Sequence, residues 1–185
     1  MALTMRKLRL KAVWLLVVPF FWFAEPTPDL LAIGAALTVL GLWIRGWSAG
    51  TIHKDETLTT SGPYAFTRNP LYLGSFFIGM GVSLAGGHWI WPLLFLLFYL
   101  TIYTRTMAGE VRHLSTLFPE EYAEYAANVP AFLPRLTPHH PKAAEPDGDR
   151  PAGFRWSQYR RNREWEATLG AIAAFALLAA KVYLI

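Results

Sequence analysis

Apolar positions gather into five long runs, at residues 12–24, 30–49, 70–85, 89–103 and 167–185, separated by polar stretches. Runs of this length read as membrane helices. The first is short, and residues ahead of it carry Arg6, Lys7, Arg9 and Lys11. A signal peptide is the alternative, but Trp22 and Phe23 before Ala24 do not make a small-residue cleavage site. An uncleaved helix is expected, with Leu8 and Leu10 recruited while Arg9 and Lys11 snorkel. Residues 25–29 are a tight connector without a basic residue. Gly86-Gly87-His88 turns the third run into the fourth, which has Pro92 in its first turn, and the two form a hairpin.

Polar positions dominate from 104 to 165. Within them, 105–125 has helical spacing that puts Leu114, Leu117, Phe118, Tyr122 and Tyr125 on one side. Residues 137–153 read as a flexible linker, and 159–163 as a basic segment facing lipid phosphate. The expected division is a membrane core with four spans at 1–136, a linker at 137–153, and an interfacial segment with a fifth span at 154–185. Arg45, near the end of the second run, is a functional candidate by position, although snorkelling is the favoured reading. Lys181 is expected to snorkel at the far end of the fifth run.

Composition agrees with a membrane protein. Hydrophobic residues make up 54% of the 185, and only 16% are charged, which a soluble domain rarely matches. Cysteine is absent, so disulfides, thiolate metal sites and cysteine nucleophiles are excluded. The net charge of +4 records topology and lipid contact rather than nucleic-acid binding. His139 and His140 lack further ligands at useful spacing, so no metal is expected. Basic residues cluster at the start, in the 53–68 loop and in the long tail, while the connectors around Glu25 and Gly87 carry none. The positive-inside rule places those basic segments in the cytoplasm.

One stretch, 59–74, reads TTSGPYAFTRNPLYLG and carries more than a helix cap requires. Ser61-Gly62-Pro63 is turn chemistry, and Pro70 is suited to a first helical turn. Its GPYAFTRNPLYLG resembles the GPYxxxRHPxYxG signature of the integral-membrane isoprenylcysteine carboxyl methyltransferase and phospholipid methyltransferase family. A second block, Glu110 to Leu114 and then Phe118-Pro119-Glu120-Glu121-Tyr122, is similar to that family's EExxL…FGEEY run. Val129-Pro130 and Pro134 match its closing VPxxxP. The likeness covers 53–134, with Asn69 in place of the usual His and Val111 in place of the second Glu.

The resemblance implies an all-α integral membrane protein of about five transmembrane helices with a cytoplasmic cofactor site, in a bacterial inner membrane. Its cofactor would be S-adenosylmethionine, and its partners a lipophilic methyl acceptor and membrane lipids, with no nucleic acid and no metal. Carried over by residue, cofactor contacts fall on Glu56, Thr57, Leu58, Thr59, Tyr64, Asn69, Pro70, Leu71, Tyr72 and Glu110. Asn69 and Arg105 are the catalytic candidates. The family's substrate-facing basic residue, four positions before the Glu, corresponds to Thr106, and Arg105 lies one place off. Asn69 keeps hydrogen bonding but loses a titrating imidazole, so it suits positioning better than acid–base work. No glycine fingerprint of a soluble nucleotide-binding domain is present. The expected activity is S-adenosylmethionine-dependent methyl transfer to a lipophilic or membrane-embedded acceptor, similar to that of the isoprenylcysteine carboxyl methyltransferases. Phospholipid N-methylation and a non-catalytic scaffold or carrier are the alternatives.

Overall fold

A computed structural model of the chain describes residues 16–53, 57–139 and 153–184, and these are helical with connecting turns. The helices are α1 (16–23), α2 (Pro28–Thr51), α3 (Pro70–Ala85), α4 (Ile90–Leu117), α5 (Pro119–Asn128), α6 (Trp156–Arg161) and α7 (Trp165–Tyr183). A single 3-10 turn, Gly62–Ala65, precedes α3. The chain is an all-α integral membrane protein. Among the described residues three helices, α2, α4 and α7, are long and apolar enough to cross a bilayer. At 16 residues, α3 is shorter, about 24 Å against a hydrocarbon core of about 30 Å. The expected first span begins outside the described residues, as does most of the 137–153 linker.

Small residues set how α2 and α3 meet. A Cβ on Gly34 would run into the Gly81 carbonyl, and one on Gly41 into the Gly74 carbonyl. The two contacts lie two turns apart along antiparallel helices, with Thr38 packed between them against Gly81. Without side chains at those points the backbones approach closely, which is how apolar helices gain packing where no hydrophobic drive separates them from lipid. Among the described helices, α2 and α3 make the most extensive interface.

At one end of the bundle, Gly86 and Gly87 turn the chain from α3 towards α4. Gly87 has φ +90° and lies against the Glu25 carbonyl, so a side chain there is excluded on both grounds. Phe20, Ala24, Leu31, Ala85 and Leu178 form a core at this end. Lys181 does not snorkel away from it. Its ammonium donates to the carbonyls of Phe21 (3.1 Å), Trp22 (2.9 Å) and Ala24 (2.6 Å), satisfying the free end of α1 with a cation. Large apolar side chains point outward along the bundle, including Trp22, Trp43, Leu97, Leu100, Ile172 and Leu177, as lipid contact requires.

The opposite end departs from expectation in an instructive way. The fourth run does not stop at Tyr103 before a separate helix. Instead α4 continues unbroken through Leu117, 28 residues and about 42 Å, so its last turns project past a bilayer core. The break comes at Phe118 (φ −133°, ψ 66°), where Pro119 opens α5. Tyr122, Tyr125 and Val129 then fold back on Leu58, Val111, Leu114 and Phe118. Leu117, expected on that apolar side, is exposed, because the change of direction at Phe118 carries it away.

Candidate functional site

Three segments distant in sequence converge at the projecting end of α4. Residues 130–139 run as a strap along the 3-10 turn and the start of α3. Arg68 N donates to the Pro130 carbonyl (2.9 Å), Arg135 N to Phe66 (2.9 Å) and His139 N to Ala65 (2.9 Å). The Thr67 hydroxyl donates to the Phe132 carbonyl at 3.0 Å, and the Asn69 amide to the Ala131 carbonyl at 2.7 Å. From α5, the Tyr125 hydroxyl donates to the Tyr64 carbonyl at 2.7 Å, and Arg68 Nη1 to the Tyr122 hydroxyl at 3.1 Å. The GPY turn, the second block and the closing VPAFLP segment are therefore one folded unit.

Between that unit and α2 lies a cavity of about 450 Å³, within the size range of small-molecule sites. Thr57, Leu58, Thr59, Tyr64, Asn69, Pro70, Leu71, Tyr72 and Glu110 all line it. Glu56 lies outside the described residues. Arg105 is exposed on α4 and is not part of the lining. Across the cavity mouth the Tyr72 hydroxyl donates to Glu110 Oε1 at 2.5 Å, joining the two sequence blocks directly. Tyr72 is held in turn by edge contact with the Tyr103 ring at 5.1 Å, and its carbonyl accepts from Tyr99 at 2.8 Å. A second cavity of about 320 Å³, lined almost wholly by apolar side chains such as Phe20, Phe95 and Trp91, opens between the helices at the other end. Among the described residues no ionisable group lines it.

The polar atoms of the cavity have a definite sense. The first turn of α3 lines one wall, and no side chain among the described residues caps it, so that wall carries the positive end of a helix. Arg45 and Arg68 line the cavity as well, as does the Glu110 carboxylate. Asn69 is buried, with its side-chain amide committed to the Ala131 carbonyl of the strap. The Tyr64 hydroxyl is buried and has no hydrogen-bond partner among the described residues. Burial, helped by the nearby Tyr125 phenol and Glu110 carboxylate, pushes the Tyr64 phenol well above its ordinary range, so it stays protonated and able to donate. Burial pushes the Tyr125 phenol up likewise, with Arg68 opposing.

Residues 30–121 match the family model described as phospholipid methyltransferase. This chain belongs to that family. Among curated relatives of the family member described here, the cobalt-zinc-cadmium resistance protein CzcN of Cupriavidus metallidurans is 38% identical over 122 residues, which are 63% of this chain and 53% of that protein. The protein-S-isoprenylcysteine O-methyltransferase of Schizosaccharomyces pombe is 32% identical over 84 residues, 45% of this chain and 36% of the relative. The human protein of the same description is 31% identical over 124 residues, 61% and 42%. The chain thus matches about half or less of the length of these relatives. No solved structure matches it.

Sequence reasoning within the phospholipid methyltransferase family missed several cavity residues. Arg68 lies inside the matched motif but is not among the expected contacts, and it lines the cavity. Its Nε is buried without a hydrogen-bond partner among the described residues. His53 and His113 also line the cavity. Arg45 is not a snorkelling side chain. Nε and Nη2 donate to the two Glu164 oxygens at 2.5 and 2.9 Å, and Nη1 to Ser75 Oγ at 2.5 Å and the Leu71 carbonyl at 3.4 Å. The available signal was the charge itself, since a cation inside an apolar run demands a partner.

Proposed function

We propose that this chain is an S-adenosylmethionine-dependent methyltransferase acting on a lipophilic, membrane-embedded acceptor, resembling the isoprenylcysteine carboxyl methyltransferases. The observation that carries this reading is the Tyr72–Glu110 hydrogen bond across one cavity, which joins both sequence blocks of the family match. The residues present fit such a cofactor. Its α-amino-acid part has an anionic and a cationic end, and the cavity offers a helix N-terminus with Arg68 together with the Glu110 carboxylate. The buried Tyr64 hydroxyl has a hydrogen bond to give, and Thr57 to Thr59 supply backbone groups at the rim. Glu110 and Tyr72 would hold cofactor polar atoms, while Pro70, Leu71 and Asn69 would shape the floor. When bound, S-adenosylmethionine supplies a methyl group on a sulfonium that leaves as a thioether. The protein's own work is then to hold donor and acceptor in line and exclude water.

Phospholipid N-methylation is the second reading. It is favoured by Thr106 standing where a carboxylate-facing cation is expected, with Arg105 pointing to the surface. There Glu110 would assist deprotonation of the acceptor amine. The purified chain incubated with methyl-labelled S-adenosylmethionine and host lipid extract should yield labelled lipid. A base-labile label identifies an ester, a stable one an amine, and no transfer to any lipid contradicts the enzyme reading in favour of a scaffold or carrier.

We place the cavity on the cytoplasmic face, the inner membrane in a bacterial host, because Arg68, Arg105, Arg112, Arg155 and Arg160 gather at its end. Single cysteines at Thr60 and at the exposed turn residue His88 check this. His88 is preferable to Gly87, where any side chain meets the Glu25 backbone. An impermeant thiol reagent on intact cells should label position 88 and spare position 60. The reverse pattern inverts the topology.

A further inference from the structure

The segment that leads into α7 lies beyond the family match, which ends at residue 121, yet it is docked on the cavity end of α2. Arg155 N donates to the Gly50 carbonyl at 2.8 Å, and the Asn162 amide to the Ala49 carbonyl at 2.8 Å. Phe154 packs on Gly50, where a Cβ would strike its ring. Two residues of this segment reach side chains that line the cavity. Gln158 Nε2 lies 2.9 Å from His53 Nδ1, and Glu164, only 5% exposed, takes Arg45 in a two-pronged ion pair.

That pair fixes more than it neutralises. A guanidinium has five N–H groups in a rigid fork, and the contacts to Glu164, Ser75 and Leu71 use four. The Arg45 stem crosses Gly74 at the α2–α3 crossing, where a side chain would displace it. Held at both ends, the head group is left with one Nη2 N–H and a place in the cavity wall beside the start of α3. A lone arginine would instead swing on its flexible stem to find water or an anion.

We infer that Glu164 is a positioning residue that fixes Arg45 as a cofactor-contacting donor in the cavity wall, so that the C-terminal segment completes the site. The inference rests on the cofactor reading above. It assigns a function to the part of the chain outside the family match, and it makes the fifth helical span part of the binding site rather than an appended anchor.

The test is calorimetric binding of S-adenosylhomocysteine to the full chain in detergent, well below each variant's melting temperature. Arg45→Gln is expected to weaken binding about tenfold and Glu164→Gln about fivefold, the scale of lost positioned hydrogen bonds. The double variant should bind no worse than Arg45→Gln, since both changes remove one donor. Asn162→Ala loosens the same segment without touching a cavity residue and should stay within about twofold of the parent. If Glu164→Gln does not fold, Glu164→Asp, which keeps the charge but shortens the reach, takes its place with the same expectations. Parental affinity in the Glu164 variant, losses that multiply in the double variant, or an equal loss in Asn162→Ala each overturns the inference while leaving the cofactor reading intact. A parent chain that binds no S-adenosylhomocysteine overturns both.

Discussion

Glu110→Gln should weaken S-adenosylhomocysteine binding by about 1.5–3 kcal/mol, the scale of a charge-assisted hydrogen bond. The substitution keeps shape and removes charge. Glu110 sits on the part of α4 that projects beyond the bilayer core and accepts from Tyr72 at 2.5 Å, so its free oxygen is available to a ligand amine or ribose. The amide can still accept from Tyr72, and folding should therefore be spared. Glu110 is exposed, so a loss of affinity with an unchanged melting curve separates a ligand contact from a structural one. Calorimetry in detergent makes the comparison, and an unchanged affinity would reduce Glu110 to a surface charge.

Gly81→Val should cost the fold about 3 kcal/mol, the upper part of the usual range for overpacking. A Cβ at Gly81 meets the Gly34 carbonyl and the Thr38 hydroxyl. Both belong to α2, and a backbone carbonyl inside a helix cannot turn aside, so the helices must separate. Separation also disturbs the far end of the same interface, where Arg45 crosses Gly74 and reaches Ser75 and Leu71. The variant should therefore melt earlier and also lose cofactor affinity. Gly170→Ala on α7 is the control, because nothing lies within 4 Å of a Cβ there, and it should shift stability by no more than about 0.5 kcal/mol. Equal melting of the two variants would mean that α2 and α3 do not pack through their glycines.

The sequence made α3 legible to the residue, because Pro70 and Gly86 punctuate it at both ends. The hairpin turn was legible from Gly86-Gly87-His88, and residues 57–59, 64, 69–72 and 110, expected as cofactor contacts from the motif, line one cavity. The continuity of α4 was not, since a helix needs no break where lipid gives way to water, and polarity alone changed at Thr104. Leu117 was misassigned because periodicity was read across Phe118, where the backbone leaves helical geometry. Arg45 and Glu164 stand 119 positions apart, and no spacing rule connects them. Two of the three carbonyls that Lys181 satisfies belong to α1, near the other end of the chain, and the third to Ala24 just after it, so its inward direction needed the tertiary fold. Asn69, expected as a catalytic and cofactor-contacting residue, lines the cavity while its side-chain amide is held by the strap, a contact that no sequence spacing announces.

If the two sequence blocks make one cofactor site, a double-mutant cycle on Tyr64 and Glu110 reads it most directly. Tyr64→Phe removes a buried hydroxyl with no partner among the described residues. A loss of affinity from that change therefore reports a bond made to the ligand. Each single variant should bind S-adenosylhomocysteine more weakly than the parent, and the combined variant should deviate from additivity by about 0.5–3 kcal/mol, as residues sharing one ligand do. Parental affinity in both single variants, each with a parental melting curve, would contradict the composite site and reduce the methyltransferase reading to a likeness of fold.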